Sequence, residues 1–317
     1  MDNTLSLISP AKLNLFLHIN GRRTPSEPFP GYHELQTVFQ ILDRGDELHF
    51  TLEAKPGIRI SPSFSDIPLE DNLIYKAAKA LEKESKNINL LPGVNIRIEK
   101  NIPMGGGLGG GSSNAATTLL ALNYLWQLKL NEDSLAAIAA CLGADVPIFV
   151  RGHSAWAEGI GELITPIKLE EYWHVILVPD CHINTGEIFS HERLTRDTPK
   201  KRIAPALEGQ ENKQHTVVKI AFQDKLNSNF LSDEYRNDCE ILATELHPEI
   251  RDAINWLGQY APSRLTGTGA CCFARFDSEK EAQQVLNEAR SKFKGFIAKG
   301  VNLSPAFQRL YEAKSSQ

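Results

Sequence analysis

Apolar and polar residues alternate along "AKLNLFLHI", residues 11 to 19, with Leu13, Leu15, Leu17 and Ile19 on one face and Asn14, Phe16 and His18 on the other. A period of two predicts a strand and sets Lys12 on the same side as Asn14. After a loop rich in Pro, Ser and Gly, two more extended runs follow, "YHELQTVFQIL" and "DELHFTLEA". The period then changes. In "DNLIYKAAKALEKES", Leu73, Ile74, Ala77, Ala78 and Leu81 make one stripe, which predicts an amphipathic helix. "GVNIRIEK" alternates again, a strand that feeds a glycine-rich stretch. Beyond that stretch Ala115, Leu119, Leu122 and Trp126 recur at helical spacing.

"NEDSLAAIAACLGADVPIFV" predicts a helix capped at Asn131 and ended by Gly143, with a short apolar run leaving from Asp145. The second half restarts with a strand, "WHVILVPD", and passes a polar surface excursion at 207–216. "SRLTGTGACCFARF" reads as two short extended segments around a second glycine turn, with a helix from about Lys280 to Lys292 after it. The plan is mixed α and β. At 317 residues and 42% hydrophobic content the chain can bury two cores, and we expect domains at 1–165 and 166–317.

Composition narrows the partners. The net charge of -5, with 34 basic residues spread among 39 acidic ones, argues against nucleic acid. Five cysteines without a CxxC pair read as free thiols in a reducing compartment. No apolar run is long enough to cross a bilayer, so no membrane is expected and the chain reads as cytoplasmic. "HELQT" and "HERLT" begin like the zinc helix HExxH, but Thr37 and Thr195 stand where the second histidine should be.

The chemistry is concentrated in "PMGGGLGGGSSNAA", where six glycines fill the seven positions 105 to 111 between a strand and an apolar helix. A helix N-terminus carries unpaired N–H groups and partial positive charge, and glycine lets a phosphate approach the bare backbone. A flexible linker would not be braced by a strand and a helix. Gly105, Gly107 and Gly110 satisfy GxGxxG, but no acidic residue ends a following strand, which weakens a dinucleotide-binding oxidoreductase. Gly111 is followed by Ser112 and Ser113 with no lysine, so the loop is not a P-loop, and the HRD and DFG motifs of protein kinases do not occur.

That glycine stretch closely resembles the second motif of the GHMP family of small-molecule kinases, which includes galactose, homoserine and mevalonate kinases. "SPAKLNLFLHI" is similar to the family's first motif and "SRLTGTGACCFARF" to its third. "PAKLNLFL", "GYHELQTVFQ", "LGADVPIFVRGHSAWAEGIGE" and "AKGVNLSP" resemble the branch of the non-mevalonate isoprenoid route whose acceptor is a cytidine diphosphate-linked methylerythritol.

The resemblance implies an α+β two-domain GHMP-kinase-like fold, with an N-terminal ribosomal-protein-S5-like domain and a C-terminal ferredoxin-like α/β sandwich. It implies ATP with Mg²⁺, and transfer to the acceptor's 2-hydroxyl. Asp145 in "GADVP" matches the catalytic aspartate, the general base; Lys12 in "PAKLN" matches the lysine beside it, whose charge supports the carboxylate and polarises the hydroxyl. By themselves Asp145 would read as a helix cap and Lys12 as a solvated charge.

For ATP the resemblance points to Pro103, Met104, Gly105, Gly106, Gly107, Leu108, Gly109, Gly110, Gly111, Ser112 and Ser113. Either serine could offer a hydroxyl to phosphate or metal, or simply cap the helix. For the acceptor it points to Tyr32, His33 and Phe189 at the cytosine, and to Asn14 and Thr185 at its polar groups. The second glycine turn, Gly267 to Gly269, would support the first loop or form a plain hairpin. Two departures stand out: "TPSEPFP" before "GYHEL", and an expanded stretch from Leu207 to Asp233. The rival readings are another GHMP kinase or decarboxylase, a Rossmann-type oxidoreductase, and an inactive nucleotide-binding regulator, the last disfavoured by the intact Lys12 and Asp145.

Overall fold

The structure is a computed structural model that describes residues 3–62, 67–85, 91–201 and 233–315. The polar excursion expected at 207–216 lies outside them, as does nearly all of the stretch from Leu207 to Asp233. The chain opens with two long strands, β1 (Thr4–Arg22) and β2 (His33–Glu53), paired antiparallel along most of their length. The two extended runs expected at 32–42 and 46–54 are thus one strand, because Pro10 pairs with Gly45 and the ladder passes the polar Asp43 and Arg44 without a turn.

A short β3 (Ile58–Ser61) leads to helix α1 (Leu73–Glu84), whose Asn72 side chain accepts from the Ile74 N–H as an N-cap. Its buried residues Ile74, Ala77, Ala78 and Leu81 follow the expected stripe. Strand β4 (Gly93–Glu99) delivers the chain to the glycine loop, and α2 (Gly110–Leu125) leaves it. Helix α3 (Glu132–Leu142) is capped by the Asn131 side chain and stops at Gly143. The apolar run after Asp145 is a helix, α4 (Val146–Arg151), which carries Pro147 in its first turn and is too short for periodicity to reveal.

Strands β5 (Ala155–Glu158), β6 (Leu163–Pro166) and β7 (Trp173–Val178) follow, then α5 (Thr185–Ser190). Helices α6 (Glu240–Leu246) and α7 (Pro248–Leu257) meet at His247. The segment around the second glycine turn gives β8 (Ser263–Leu265) and β9 (Cys272–Phe276), followed by α8 (Glu279–Ala289), β10 (Lys294–Val301) and α9 (Pro305–Ser315).

The strands run β3-β4-β2-β10-β7-β9-β8, with β1 and β5 also on β2 and β6 on β5. One face of the first half packs Phe39, Ile41, Leu48, Phe50 and Ile96 against Ala115, Leu119 and Leu122 of α2. In the second half Val175, Leu177 and Ala274 meet Leu257 and Val285 of the flanking helices. Apolar burial of this kind contributes about 25 cal/mol per Å².

The alternation in β1 does not give one wet and one dry face. Every residue from Ser9 to Ile19 is buried, and the register shifts between Asn14 and Leu17. The polar side is covered because the second glycine turn lies over it, the Asn14 N–H donating to Thr266 Oγ1 at 3.0 Å. All five cysteines are free. No helix among the described residues is long and apolar enough to cross a membrane.

Candidate active site

Lys12 stands at the centre of the site on β1, with its side chain 3% exposed. Its ammonium has three N–H donors, and three acceptors surround it: Asn14 Oδ1 at 2.5 Å, Gly107 O at 3.0 Å and Asp145 Oδ2 at 3.3 Å. Its place is therefore fixed. The Phe39 ring lies below it, 5.3 Å from Nζ to the centroid. Asn14 is held in turn, its amide N–H donating to Thr37 Oγ1 at 2.9 Å while Thr37 donates to Phe16 O at 2.5 Å.

Asp145 occupies the N-cap position of α4 but makes no capping hydrogen bond with its side chain. The carboxylate is 37% exposed and turns to Lys12 instead. Only Oδ2 is held there; Oδ1 has no partner among the described residues, and Asp145 lines a cavity of about 1030 Å³. An anchored carboxylate with one open oxygen can receive a proton.

The glycine loop folds over Lys12, whose own N–H donates to Leu108 O at 3.0 Å. Gly107 has φ +75°, and a Cβ there would come within 2.1 Å of Thr266 O. No other residue fits. Gly267 packs back on Gly107 from the second turn, and the Cys271 N–H donates to Gly106 O at 3.2 Å, so that turn braces the first loop. Gly109, at φ +72°, ends the loop and opens α2, which has no acidic residue in its first turn. The helix thus presents free N–H groups and the positive end of its dipole to the cavity.

The cavity wall carries Lys12, Asn14, Tyr32, His33, Asp145, Thr185 and Phe189 together with Pro103 through Ser112. Ser113 is not on that wall. It is fully buried, and its hydroxyl accepts from Ser9 Oγ at 2.9 Å. At the far end His33 stacks on Phe189, with centroids 5.1 Å apart and planes at 26°. Arg196 Nε donates to His33 Nε2 at 3.0 Å, which assigns the ring proton to Nδ1. Burial, then the charges of Arg196 and Arg22, pushes the His33 pKa down to about 4, so the ring is neutral near pH 7. Thr185 Oγ1 bonds Thr268 Oγ1 at 2.9 Å, and Tyr32 stands 55% exposed at the rim.

Three groups escaped the sequence reading. Asn114 lines the cavity with its Oδ1 buried and without a partner among the described residues, while its N–H donates to Asp46 Oδ2 at 3.0 Å. Lys100 lies beside it at 2.5 Å from the same buried carboxylate. The one signal for Asn114 was a polar residue inside an apolar helix. Arg196 gave no signal, because its role depends on a fold that brings residues 33 and 196 together.

A glycine-built helix mouth, a buried cation and a half-open carboxylate around one cavity define a phosphotransferase for small molecules. The comparisons agree: residues 72–153 match the profile of the GHMP kinases N terminal domain and residues 220–295 that of the GHMP kinases C terminal domain. The chain belongs to the GHMP kinase family. It is 53% identical to the 4-diphosphocytidyl-2-C-methyl-D-erythritol kinase of Marinobacter nauticus, over 99% of this chain and 100% of that one. With the enzyme of the same name from Hahella chejuensis it shares 49% over 98% of this chain and 97% of that one. A crystal structure of 4-(cytidine 5'-diphospho)-2C-methyl-D-erythritol kinase superposes with TM-score 0.74 at 28% identity, covering 94% of this chain and 100% of that chain. A homoserine kinase from Cytophaga hutchinsonii shares the fold, with TM-score 0.60 at 17% identity and coverage of 96% and 97%.

Proposed function

We propose that the chain transfers the γ-phosphoryl group of ATP to the 2-hydroxyl of 4-diphosphocytidyl-2-C-methyl-D-erythritol, with Asp145 as general base and Lys12 as its electrostatic partner. One observation carries this reading: a single cavity joins the glycine loop, the Lys12–Asp145 pair and the Tyr32, His33 and Phe189 cluster. The ATP phosphates lie along Gly105 to Gly111 and the mouth of α2, where N–H groups and the helix dipole meet negative charge. Cytosine lies against Phe189 and Tyr32, with the Nδ1–H of neutral His33 as a donor to its edge. Thr185 and Asn14 face the rest of the acceptor.

With both substrates in place, the acceptor hydroxyl approaches Asp145 Oδ1 and loses its proton there as its oxygen attacks the γ-phosphorus. The bond to the β-γ bridging oxygen breaks and ADP leaves. Lys12 offsets the charge that gathers between carboxylate and phosphate, and positioning of this kind supplies most of the rate in phosphoryl transfer. For Mg²⁺ the cavity offers oxygen donors at Ser112 and Asp145, so phosphate oxygens and water would complete its shell. Bound there, the ion would neutralise phosphate charge. The two matched profiles lie on either side of residue 165, which supports the division at 1–165 and 166–317.

The test is ADP release with a panel of acceptors. The expected result is turnover with 4-diphosphocytidyl-2-C-methyl-D-erythritol and none with mevalonate or homoserine. Turnover with mevalonate instead would move the chain to another branch of the family.

A further inference from the structure

Outside the cavity, three metal-binding side chains converge where the β7–α5 loop meets the start of α7. The Cys181 Sγ, a ring nitrogen of His247 and a carboxylate oxygen of Glu249 all lie within 4.8 Å of one another. None of the three side chains makes a hydrogen bond or ion pair with a group outside the cluster among the described residues. His247 sits at the N-cap of α7 yet makes no capping bond with its ring. Its backbone is held from both sides, because α6 ends on it and α7 begins on it. The other His and carboxylate group among the described residues, Glu47, His49 and Glu99, differs: Ser6 holds His49 Nδ1 at 2.8 Å and Arg97 holds Glu99 at 2.6 Å.

We propose that Cys181, His247 and Glu249 form a site for a zinc-type divalent ion that fastens the acceptor-binding segment to α7. A thiolate, an imidazole and a carboxylate are a borderline-soft set that suits Zn²⁺ in tetrahedral geometry, with water as the fourth ligand. Mg²⁺ prefers oxygen alone, so the ion that serves ATP does not compete well. On binding, the thiol gives its proton to solvent.

The position gives the ion a consequence. His182, next in the chain, lies under the glycine loop, where a Cβ on Gly105 would meet its Cε1 at 3.0 Å. Ile183 and Ile250, close in sequence to Cys181 and Glu249, share a core, and Thr185 and Phe189 follow on the wall of the cavity. An ion across Cys181 and α7 therefore holds both the underside of the loop and the entry to α5. It is a positioning site, since none of its three side chains is on the wall of the cavity.

The experiment titrates Co²⁺ and Zn²⁺ into chelator-treated full-length enzyme free of nucleotide and Mg²⁺. The expected result is one tight ion per chain, a thiolate-to-cobalt charge-transfer band displaced by Zn²⁺, and a Tm raised by Zn²⁺. Cys181→Ser abolishes the band, while His247→Ala and Glu249→Gln weaken binding at least tenfold, as expected for loss of one ligand. With Zn²⁺ removed, the KM rises for the acceptor and, to a smaller extent, for ATP. Absence of the band, or a band of full intensity in Cys181→Ser, overturns the proposal. If Cys181→Ser does not fold, unchanged affinity in His247→Ala overturns it equally.

Discussion

The two ends of the cavity are built differently. At the phosphate end the buried charges are paired inside the protein: the Lys12 ammonium meets three acceptors, and the Asp46 carboxylate, fully buried, accepts from Lys100, Asn101, Ile102 and Asn114. At the acceptor end Tyr32 is 55% exposed, its ring 6.0 Å from that of Phe29, and the His33 Nδ1–H has no partner among the described residues. Chemistry needs charge placed in advance, and buried charge is tolerable only when it is paired. Recognition of a base needs surfaces left open until the ligand covers them. One end is therefore finished before substrate arrives, and the other is completed by it.

Breaking the finished end has the largest effect. Asp145→Asn keeps the shape but cannot take the proton; kcat falls by on the order of 10² to 10⁴ while the ATP KM changes less than about threefold, as measured by ADP release. Lys12→Met leaves Asn14 Oδ1 without its donor and Gly107 O with Thr266 Oγ1 alone, at 3.4 Å. That variant loses on the order of 10² in kcat and about 1–3 kcal/mol in stability, read by initial rates and urea unfolding.

At the open end, Phe189→Ala raises the acceptor KM by about 5- to 100-fold, the worth of one base stacked on an aromatic ring, with kcat and the ATP KM nearly unchanged. An equal loss in kcat would mean that the two ends are not separate. The smallest effect is a slope with pH. Burial lowers the pKa of His18 and His33 to about 4 and of His174 to about 3, from 6.5. The unfolded chain then binds more protons than the folded one between those values. The stability from these neutral rings is complete above pH 6.5 and is lost as pH falls through about 4. A Tm that declines steadily from pH 6.5 downward checks this, and His33→Gln should flatten the decline.

How much of this could be read from the sequence follows from the range of the interactions. The helix caps at Asn131 and Gly143 were legible because a cap is a local exchange between a side chain and a backbone N–H or C=O three or four residues away. The glycine loop was legible for the same reason. Burial of both faces of β1 was not, since the cover over Asn14 comes from Thr266, and nothing local to "AKLNLFLHI" encodes it. Ser112 and Ser113 looked equivalent in sequence, yet helix geometry turns one to the cavity and the other to Ser9. Asp145 is the reverse case: its sequence position fits a cap, and its side chain acts elsewhere.

The central claim is that both substrates occupy one cavity together and that the phosphoryl group passes directly between them. Initial rates measured over a grid of ATP and 4-diphosphocytidyl-2-C-methyl-D-erythritol concentrations test it most directly. Double-reciprocal lines that intersect are the predicted result, since a ternary complex must form. Parallel lines would mean that ADP leaves before the acceptor binds, and would contradict direct transfer at Asp145.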